Sequence, residues 1–283
     1  MIRRFTIPIT ALLIFLTIML GSYKQEAYAG NVPVSFNHWI YGNLNILFHP
    51  NFFFHVMPGH SYEYIVQRDD TNSHANKTFL TELFIGPWFN YNITNNLNFK
   101  IGVEYYYMGF SPFYDSDFIE YYNHCIEVIP IFTFKVDPIT ISSRTIFHNV
   151  LYTSERDYTN PLTGAPFHTD AKSGYGMLIR ELITVSYKVN DLITVSLGNE
   201  FFFGCVEYEG LVTTDLNSKG YNENRLIPGI TFTNIVPGFS VTANYIFRVS
   251  FQVNDSAKFD DGEINRVRHY AQLILTYNFK TYE

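Results

Sequence analysis

The feature that most limits the fold of this chain is an alternation of apolar and polar side chains that repeats along most of its length. In the segment HYAQLILTYNF, residues 269–279, the odd positions from 271 onward are apolar, and most residues between them can hydrogen bond. The segment 97–109 repeats the pattern, with Lys100 and Glu104 among its even positions. Because successive side chains of a β-strand point to opposite faces, this period predicts strands with one apolar and one polar face.

Short turns alternate with long polar connections between these strands. The short turns, each containing Asn, Asp, Pro or Gly, lie at 92–96, 136–138, 189–191 and 236–238. The long connections lie at 110–122, 155–171, 207–223 and 254–263. Strict alternation places every short turn at the same end of the sheet. This arrangement is typical of outer-membrane barrels, with short periplasmic turns and long extracellular loops.

The number of strands follows from the count of alternating runs. Nine runs lie between residues 79 and 279, and a tenth lies at 39–48. Because bacterial single-chain barrels have even strand numbers, the sequence predicts ten strands. Twelve strands remain an alternative if residues 52–68 form an extra hairpin, but Pro58 and Gly59 argue against it.

Composition indicates which face of the strands is outermost. Aromatic residues make up 18% of the chain and charged residues only 16%, which is little charge for a surface in water. The polar face carries Arg and Glu at mid-strand, which a soluble core does not accommodate. We therefore expect an all-β, transmembrane, antiparallel up-and-down β-barrel with lipid outside and charged residues in the lumen.

Aromatic side chains beside the short turns are expected at the membrane interface. Tyr277 and Phe279 end the last run, and Trp88, Phe89 and Tyr91 lie beside another short turn. Rings collect where the bilayer meets water, so all five are predicted to lie at the depth of that interface.

The N-terminal segment has the pattern of an export signal. Arg3 and Arg4 precede an apolar run at 5–20, and Ala-Tyr-Ala at 27–29 supplies small residues for cleavage. We predict a signal peptide at residues 1–29 and the barrel at residues 30–283, in the bacterial outer membrane; a single membrane anchor is the alternative. No later segment predicts a spanning helix. Cleavage would leave 16 basic and 25 acidic residues, a net charge of -9, which excludes a nucleic-acid partner.

The ending LILTYNF, with its alternating apolar side chains and final aromatic, resembles the closing strand of bacterial outer-membrane β-barrel proteins. Here Lys280 to Glu283 follow the aromatic, whereas in that superfamily the aromatic is usually the last residue. The opening HWIYGNLNILFHP and the same ending are also similar to nucleoside-specific channel-forming barrels. No binding residue is carried over from that family, because no diagnostic stretch fixes the alignment.

The alternation predicts which charged side chains line the lumen. They are Glu82, Lys100, Glu104, Glu127, Arg144, His148, Arg180, Glu200, Arg225, Arg248, Arg266 and Arg268. Basic groups outnumber acidic ones in this set, while many Asp and Glu residues fall in the long connections, so we expect a basic interior beneath an acidic rim. Glu181 breaks the apolar outer face of its strand, which suggests a bulge or an interfacial position.

Two functions fit a charged lumen. Unpaired arginines would line a water-filled, porin-like channel for small polar or anionic solutes, and this passive pore is the first expectation. Alternatively, Arg and Glu pair across a narrow lumen and fill it, giving a non-conducting structural or surface-binding barrel whose acidic loops bind a partner or cations. The expected partners are outer-membrane lipid and lipopolysaccharide.

Three further groups suggest chemistry without completing a site. Ser143 and His148 are the nearest pair to a nucleophile and a base, but alternation places them on opposite faces, so no enzyme is predicted. Five histidines between 38 and 74 match no ligand spacing, so no metal or cofactor is expected. Cys125 and Cys205 also face opposite ways, which favours two free thiols over a disulfide.

Overall fold

The computed structural model describes residues 34–67, 77–114, 117–118, 121–159, 166–206, 220–251 and 264–282, so the predicted signal peptide lies outside the described residues. The described residues form fourteen β-strands: β1 Val34–His49, β2 Phe52–Gln67, β3 Lys77–Asn92, β4 Leu97–Tyr114, β5 Asp117–Phe118, β6 Tyr121–Val136, β7 Ile139–Thr153, β8 Arg156–Thr159, β9 Pro166–Thr169, β10 Lys172–Lys188, β11 Ile193–Val206, β12 Gly220–Val236, β13 Phe239–Phe251 and β14 Ile264–Lys280. No helix among them has the length and apolarity needed to cross a membrane.

Eleven of these strands close into one barrel. Ten neighbouring pairs follow the order β3, β2, β1, β14, β13, β12, β11, β10, β7, β6, β4, and pairing of β3 with β4 completes the circle. The two-residue β5 pairs with the end of β4, and β8 and β9 form a separate hairpin in the connection between β7 and β10. The predicted all-β barrel of about ten strands is confirmed.

The strand count itself is eleven, so the prediction of an even number was wrong. The additional strand is β2, in the segment that sequence reasoning left outside the barrel. An odd count means that the first and last strands run in the same direction where they meet. β1 accordingly pairs with β14 in parallel, from Val34 opposite Val267 to Leu47 opposite Lys280.

Pro58 and Gly59, the residues that argued against a strand, are both accommodated in β2. The ladder between β1 and β2 has a gap between the pairs Tyr41–Gly59 and Leu44–Val56, where Pro58 has no N–H to donate. On its other side Pro58 still lies opposite Leu83 of β3. Gly59 leaves room for a ring, because a Cβ there would lie 2.2 Å from Cδ1 of Tyr41.

The barrel has two distinct ends and two distinct faces. We call the end that carries the turns at 50–51, 93–96, 137–138, 189–192 and 237–238 the short-turn end, and the opposite end the long-connection end. Along β7 the inward residues Ile146, His148 and Val150 are buried, and the residues between them are less buried, as the sequence pattern predicts. Large apolar side chains are exposed on the outer face, among them Val103, Phe132, Ile183, Val185 and Leu197.

Trp88 lies on the inner face of the barrel, unlike its neighbour Phe89. It does not lie in an external aromatic girdle with Phe89, because even positions of β3 face the interior and its side chain is buried. Its indole Nε1 donates to Oε1 of Glu104 at 2.6 Å, and its ring stacks on Phe53 with a centroid separation of 5.8 Å. An indole needs a partner for its N–H when buried, and the interior supplies one.

Replacement of Gly59 by Ala is expected to destabilise the barrel, because Tyr41 is buried and held by a hydrogen bond to Glu82 and has no room to move. The expected loss in the free energy of unfolding is about 1–3 kcal/mol, as for other overpacked cores. Urea titration of the refolded protein measures it.

Gly42 is the matched control, since a Cβ there meets nothing within 4 Å. Equal unfolding midpoints for Gly42→Ala and Gly59→Ala would contradict the tight fit between β1 and β2.

Candidate functional site

Most of the charged residues predicted for the lumen lie on the interior face. Seven are buried: Glu82, Glu104, Glu127, His148, Glu200, Arg225 and Arg248. Four are partly exposed: Lys100, Arg144, Arg180 and Arg268. Arg266 lies opposite Ser250 in the ladder of β13 and β14, and its side chain lies outside the described part of the chain.

Glu200 on β11 is the centre of the interior charge cluster. Glu200 is only 1% exposed. Nη2 of Arg180 and Nη2 of Arg144 both donate to Oε1 of Glu200, at 3.0 and 3.1 Å. Nη1 of Arg225 donates to the other oxygen, Oε2, at 3.3 Å. Three guanidinium groups from β10, β7 and β12 therefore converge on one carboxylate.

A second carboxylate, Glu223 on β12, extends the cluster. Nε of Arg225 donates to Oε1 of Glu223 at 2.6 Å, and the guanidinium of Arg248 forms an ion pair with Oε2. Nη1 of Arg248 also donates to the hydroxyl of Tyr270 at 3.1 Å. We refer to Arg144, Arg180, Glu200, Glu223, Arg225 and Arg248 as the arginine cluster.

Glu223 was missed by sequence reasoning, which placed it in the connection 207–223. β12 starts earlier, at Gly220, so Glu223 shares the interior face with Arg225 two residues later. The same parity that identified Arg225 would have identified Glu223 if the strand had been extended. The interior is consequently less basic than predicted.

Aromatic rings make cation–π contacts with the guanidinium groups of the cluster. The guanidinium carbons of Arg225 and Arg180 lie 4.1 and 4.9 Å from the centroid of the Phe202 ring. Arg225 also lies 5.6 Å from the ring of Trp39, on β1, across two intervening strands. Trp39 in turn stacks on Tyr270 at 4.4 Å. Such cation–π contacts strengthen when the groups are removed from water, as they are here.

On the wall formed by β1 to β7, the buried carboxylates are satisfied by uncharged donors and histidines. The hydroxyls of Tyr41 and Tyr106 both donate to Glu82. The remaining contacts in this wall pair Glu104 with His55 and Trp88, and Glu127 with His148. Nδ1 of His148 lies 2.7 Å from Oε1 of Glu127. Sequence reasoning did not predict the tyrosine donors, because an aromatic residue carries no sign of which strand it will reach.

The buried carboxylates inside the barrel are all paired with donors. Glu82, Glu104, Glu127, Glu200 and Glu223 are all buried, and each has a donor within reach. Buried ion pairs persist only when their geometry satisfies most of the remaining donors and acceptors, which rigidifies the groups involved. These carboxylates are therefore members of ion pairs and hydrogen bonds and not free charges.

Comparison with known families gives a match that spans this cluster. The family described as "Protein of unknown function (DUF2490)" matches residues 61–259, a range that includes the whole arginine cluster. The chain belongs to the DUF2490 family. No curated protein matches it. Among solved structures, the translocator domain of the autotransporter NalP from Neisseria meningitidis is similar at a TM-score of 0.44 with 10% sequence identity, over 71% of this chain and 69% of that one. Identity at this level says nothing about function.

Ser143 and His148, the pair considered for hydrolysis, lie on opposite faces of β7 in this DUF2490 chain. His148 is in the interior beside Glu127, whereas Ser143 is on the outer face. Oγ of Ser143 donates to Oε1 of Glu181 at 2.5 Å, and Oγ1 of Thr145 donates to Oε2 at 2.6 Å. Glu181 thus lies on the outer face with two hydroxyl donors, and the bulges of β10 lie elsewhere, near residues 173–178.

The histidines and cysteines of the described residues do not form a shared site. His38 and His60 meet on the outer face with their Nε2 atoms 3.4 Å apart, while His55 is in the interior. No group of three or more potential metal ligands comes together within the described ranges. Cys125 is buried with a free thiol, and the side chain of Cys205 lies outside the described part.

Replacement of Glu200 by Ala is expected to lower the free energy of unfolding by about 3–5 kcal/mol, because it leaves the buried Arg225 and the partly exposed Arg144 and Arg180 without their shared carboxylate. The Arg180→Ala, Glu200→Ala double-mutant cycle, measured by urea unfolding, isolates the coupling.

The control is the ion pair between Lys188 and Asp191, which also joins a cation to a carboxylate, at 2.6 Å on the exposed short turn. Solvent screens that pair, so its cycle is expected to give no measurable coupling. Equal coupling in the two cycles would contradict a dry cluster.

Proposed function

We propose that this protein is an integral outer-membrane β-barrel whose lumen is closed by the arginine cluster, a structural or surface-binding barrel that does not conduct ions. One observation carries the proposal. Glu200 and Glu223, which are 1% and 0% exposed, are held by arginines from β7, β10, β12 and β13 and by ring contacts that reach β1.

The membrane location is supported by the outer face. Exposed large apolar side chains recur on most of the strands, whereas the charged side chains of the same strands point inward. A monomeric protein in water rarely exposes a continuous apolar surface of this kind. The reversed arrangement, apolar outside and charged inside, is the arrangement of transmembrane barrels. The predicted export signal at residues 1–29 is consistent with it.

Closure is supported by the energetics of paired buried charges. An eight-stranded barrel is filled by its own side chains, and an eleven-stranded barrel has only a moderately wider interior. Here arginine, phenylalanine and tryptophan side chains occupy that width between β1 and β11. An ion could pass only by separating guanidinium groups from carboxylates in a site with little water, which is strongly unfavourable.

A pore for small anionic solutes is the second candidate, and the composition of the arginine cluster favours it. Four arginines share two carboxylates, so the cluster has an excess of positive charge. Rings of arginine attract anions in known channels. Conductance separates the two candidates.

The membrane proposal predicts that Leu197→Arg lowers the free energy of unfolding in lipid vesicles by about 2–4 kcal/mol, because it places a charge within the hydrocarbon. Val236 is the matched control, since it is equally exposed, at 53%, but ends β12 beside a short turn. Val236→Arg is expected to change stability by about 0–1 kcal/mol. Equal, small effects at both positions would contradict a lipid-facing belt.

The closure proposal predicts that purified, refolded protein gives no discrete conductance steps in planar bilayers. Arg225→Ala is expected to introduce leak currents, because Arg225 contacts both carboxylates and Phe202. Lys188→Ala, which removes an exposed cation from the rim, should remain silent. Gel migration before and after boiling verifies that each sample is folded.

Discrete steps from the unmodified protein would overturn closure and support the pore. In that case Arg248→Glu should shift ion selectivity toward cations.

A further inference from the structure

The interior of the barrel changes character toward the short-turn end. Several inward-facing positions there, on five neighbouring strands, carry hydroxyl and amide side chains. These side chains are partly exposed, unlike the buried carboxylates of the arginine cluster farther from that end. They include Ser142, Thr184, Ser196, Thr231, Thr242 and Asn244. These side chains point into the barrel, and their partial exposure indicates that they are less closely covered than the buried carboxylates. We call this part of the interior the polar cup.

Two guanidinium groups of the arginine cluster form the floor of the polar cup. The side chains of Arg144 and Arg180 are 35% and 19% exposed, whereas that of Arg225 is 8% exposed. Arg144 and Arg180 share a single oxygen of Glu200, and the buried Nε atom of each has no hydrogen-bond partner. The cluster therefore leaves both side chains partly exposed, while their Nε atoms are buried.

The wall of the polar cup retains hydrogen-bonding capacity. Thr231 and Thr242 bond to each other at 3.0 Å, and Asn244 donates to Gln272 at 2.8 Å. Within the described part of the chain, the hydroxyls of Ser142 and Thr184 have no side-chain hydrogen bond. They flank Arg144, which lies two residues after Ser142 on β7 and opposite Leu182 on β10.

The wall on the other side is apolar. The partly buried side chains of Phe53 and Ile131 lie there, packed against the buried residues Trp88, Ile129 and Ile146. A small-molecule site typically combines such an apolar surface with a few convergent polar groups. The polar cup has both, together with an excess of positive charge at its floor.

We propose that the polar cup binds a small anionic molecule that carries several hydroxyl groups, such as a sugar acid or a sugar phosphate, entering from the short-turn end. The anion contacts Arg144 and Arg180, whose planar guanidinium groups suit a carboxylate or phosphate. The hydroxyls of the ligand bond to Ser142, Thr184 and their neighbours. This inference does not depend on closure, because binding to the cup requires no passage through the arginine cluster.

Isothermal titration of the refolded full chain in detergent micelles tests the proposal, with glucuronate and glucose 6-phosphate as the probes. Saturable binding of at least one probe is expected, with glucose and acetate at least about 10-fold weaker because each lacks one half of the recognition. Arg144→Gln is expected to weaken binding at least about 10-fold, as for loss of a bidentate charged contact.

Lys188→Gln is the control, because it removes a cation at the rim of the same end and should leave binding unchanged. Thr184→Val guards against misfolding of the arginine variant, since it keeps the cluster intact and should weaken binding about 3- to 10-fold through a lost hydroxyl. No saturable binding, equal binding of acetate, or unchanged affinity in both Arg144→Gln and Thr184→Val would overturn the proposal. A protein that shows no conductance and binds neither probe would refute the ligand proposal and leave closure intact. A protein that conducts and binds a probe would refute closure and leave the ligand proposal intact.

Discussion

The convergence of three arginines on Glu200 is the interaction on which the interior depends. One carboxylate joins β7, β10, β11 and β12, and through Arg225 and Glu223 the contacts continue to β13 and β1. A sheet closed by backbone hydrogen bonds alone would have a hollow centre. Here charged groups from several strands meet inside the barrel and join strands that are not neighbours in the sheet. Their burial is unfavourable in isolation, so the cluster is stable only as a complete set.

The two faces of the barrel follow from the same constraint. Charged side chains that pair inside leave the outer face to apolar residues, and the alternation along each strand is the trace of that division. The few polar groups on the outer face are paired locally, as Glu181 is by Ser143 and Thr145. Pro58 of β2 is likewise accommodated by a local change. Pro58 interrupts one ladder of β2 and leaves the other intact, so a residue that usually ends a strand lies within one.

The sequence predicted the class of fold and the facing of most charged residues because both depend on the two-residue period of a strand. Arg248 and Glu200 were placed correctly on the inner face by this local rule. The partners of the buried charged residues could not be predicted. Tyr41, for example, reaches Glu82 across an intervening strand, and such contacts depend on how the whole sheet closes. Glu223 was missed because the boundary of β12 was set too late. The exact count of eleven was not predicted, because Pro58 and Gly59 argued against a strand in the segment that forms β2.

The parallel seam between β1 and β14 has a topological consequence. In a barrel with an even number of strands, both chain ends emerge on the same side. Here β1 begins at the long-connection end and β14 finishes at the short-turn end, so the two ends of the described chain lie at opposite ends of the barrel. Closure of the circle therefore joins the two strands that lie farthest apart along the chain, and it joins them side by side in the same direction.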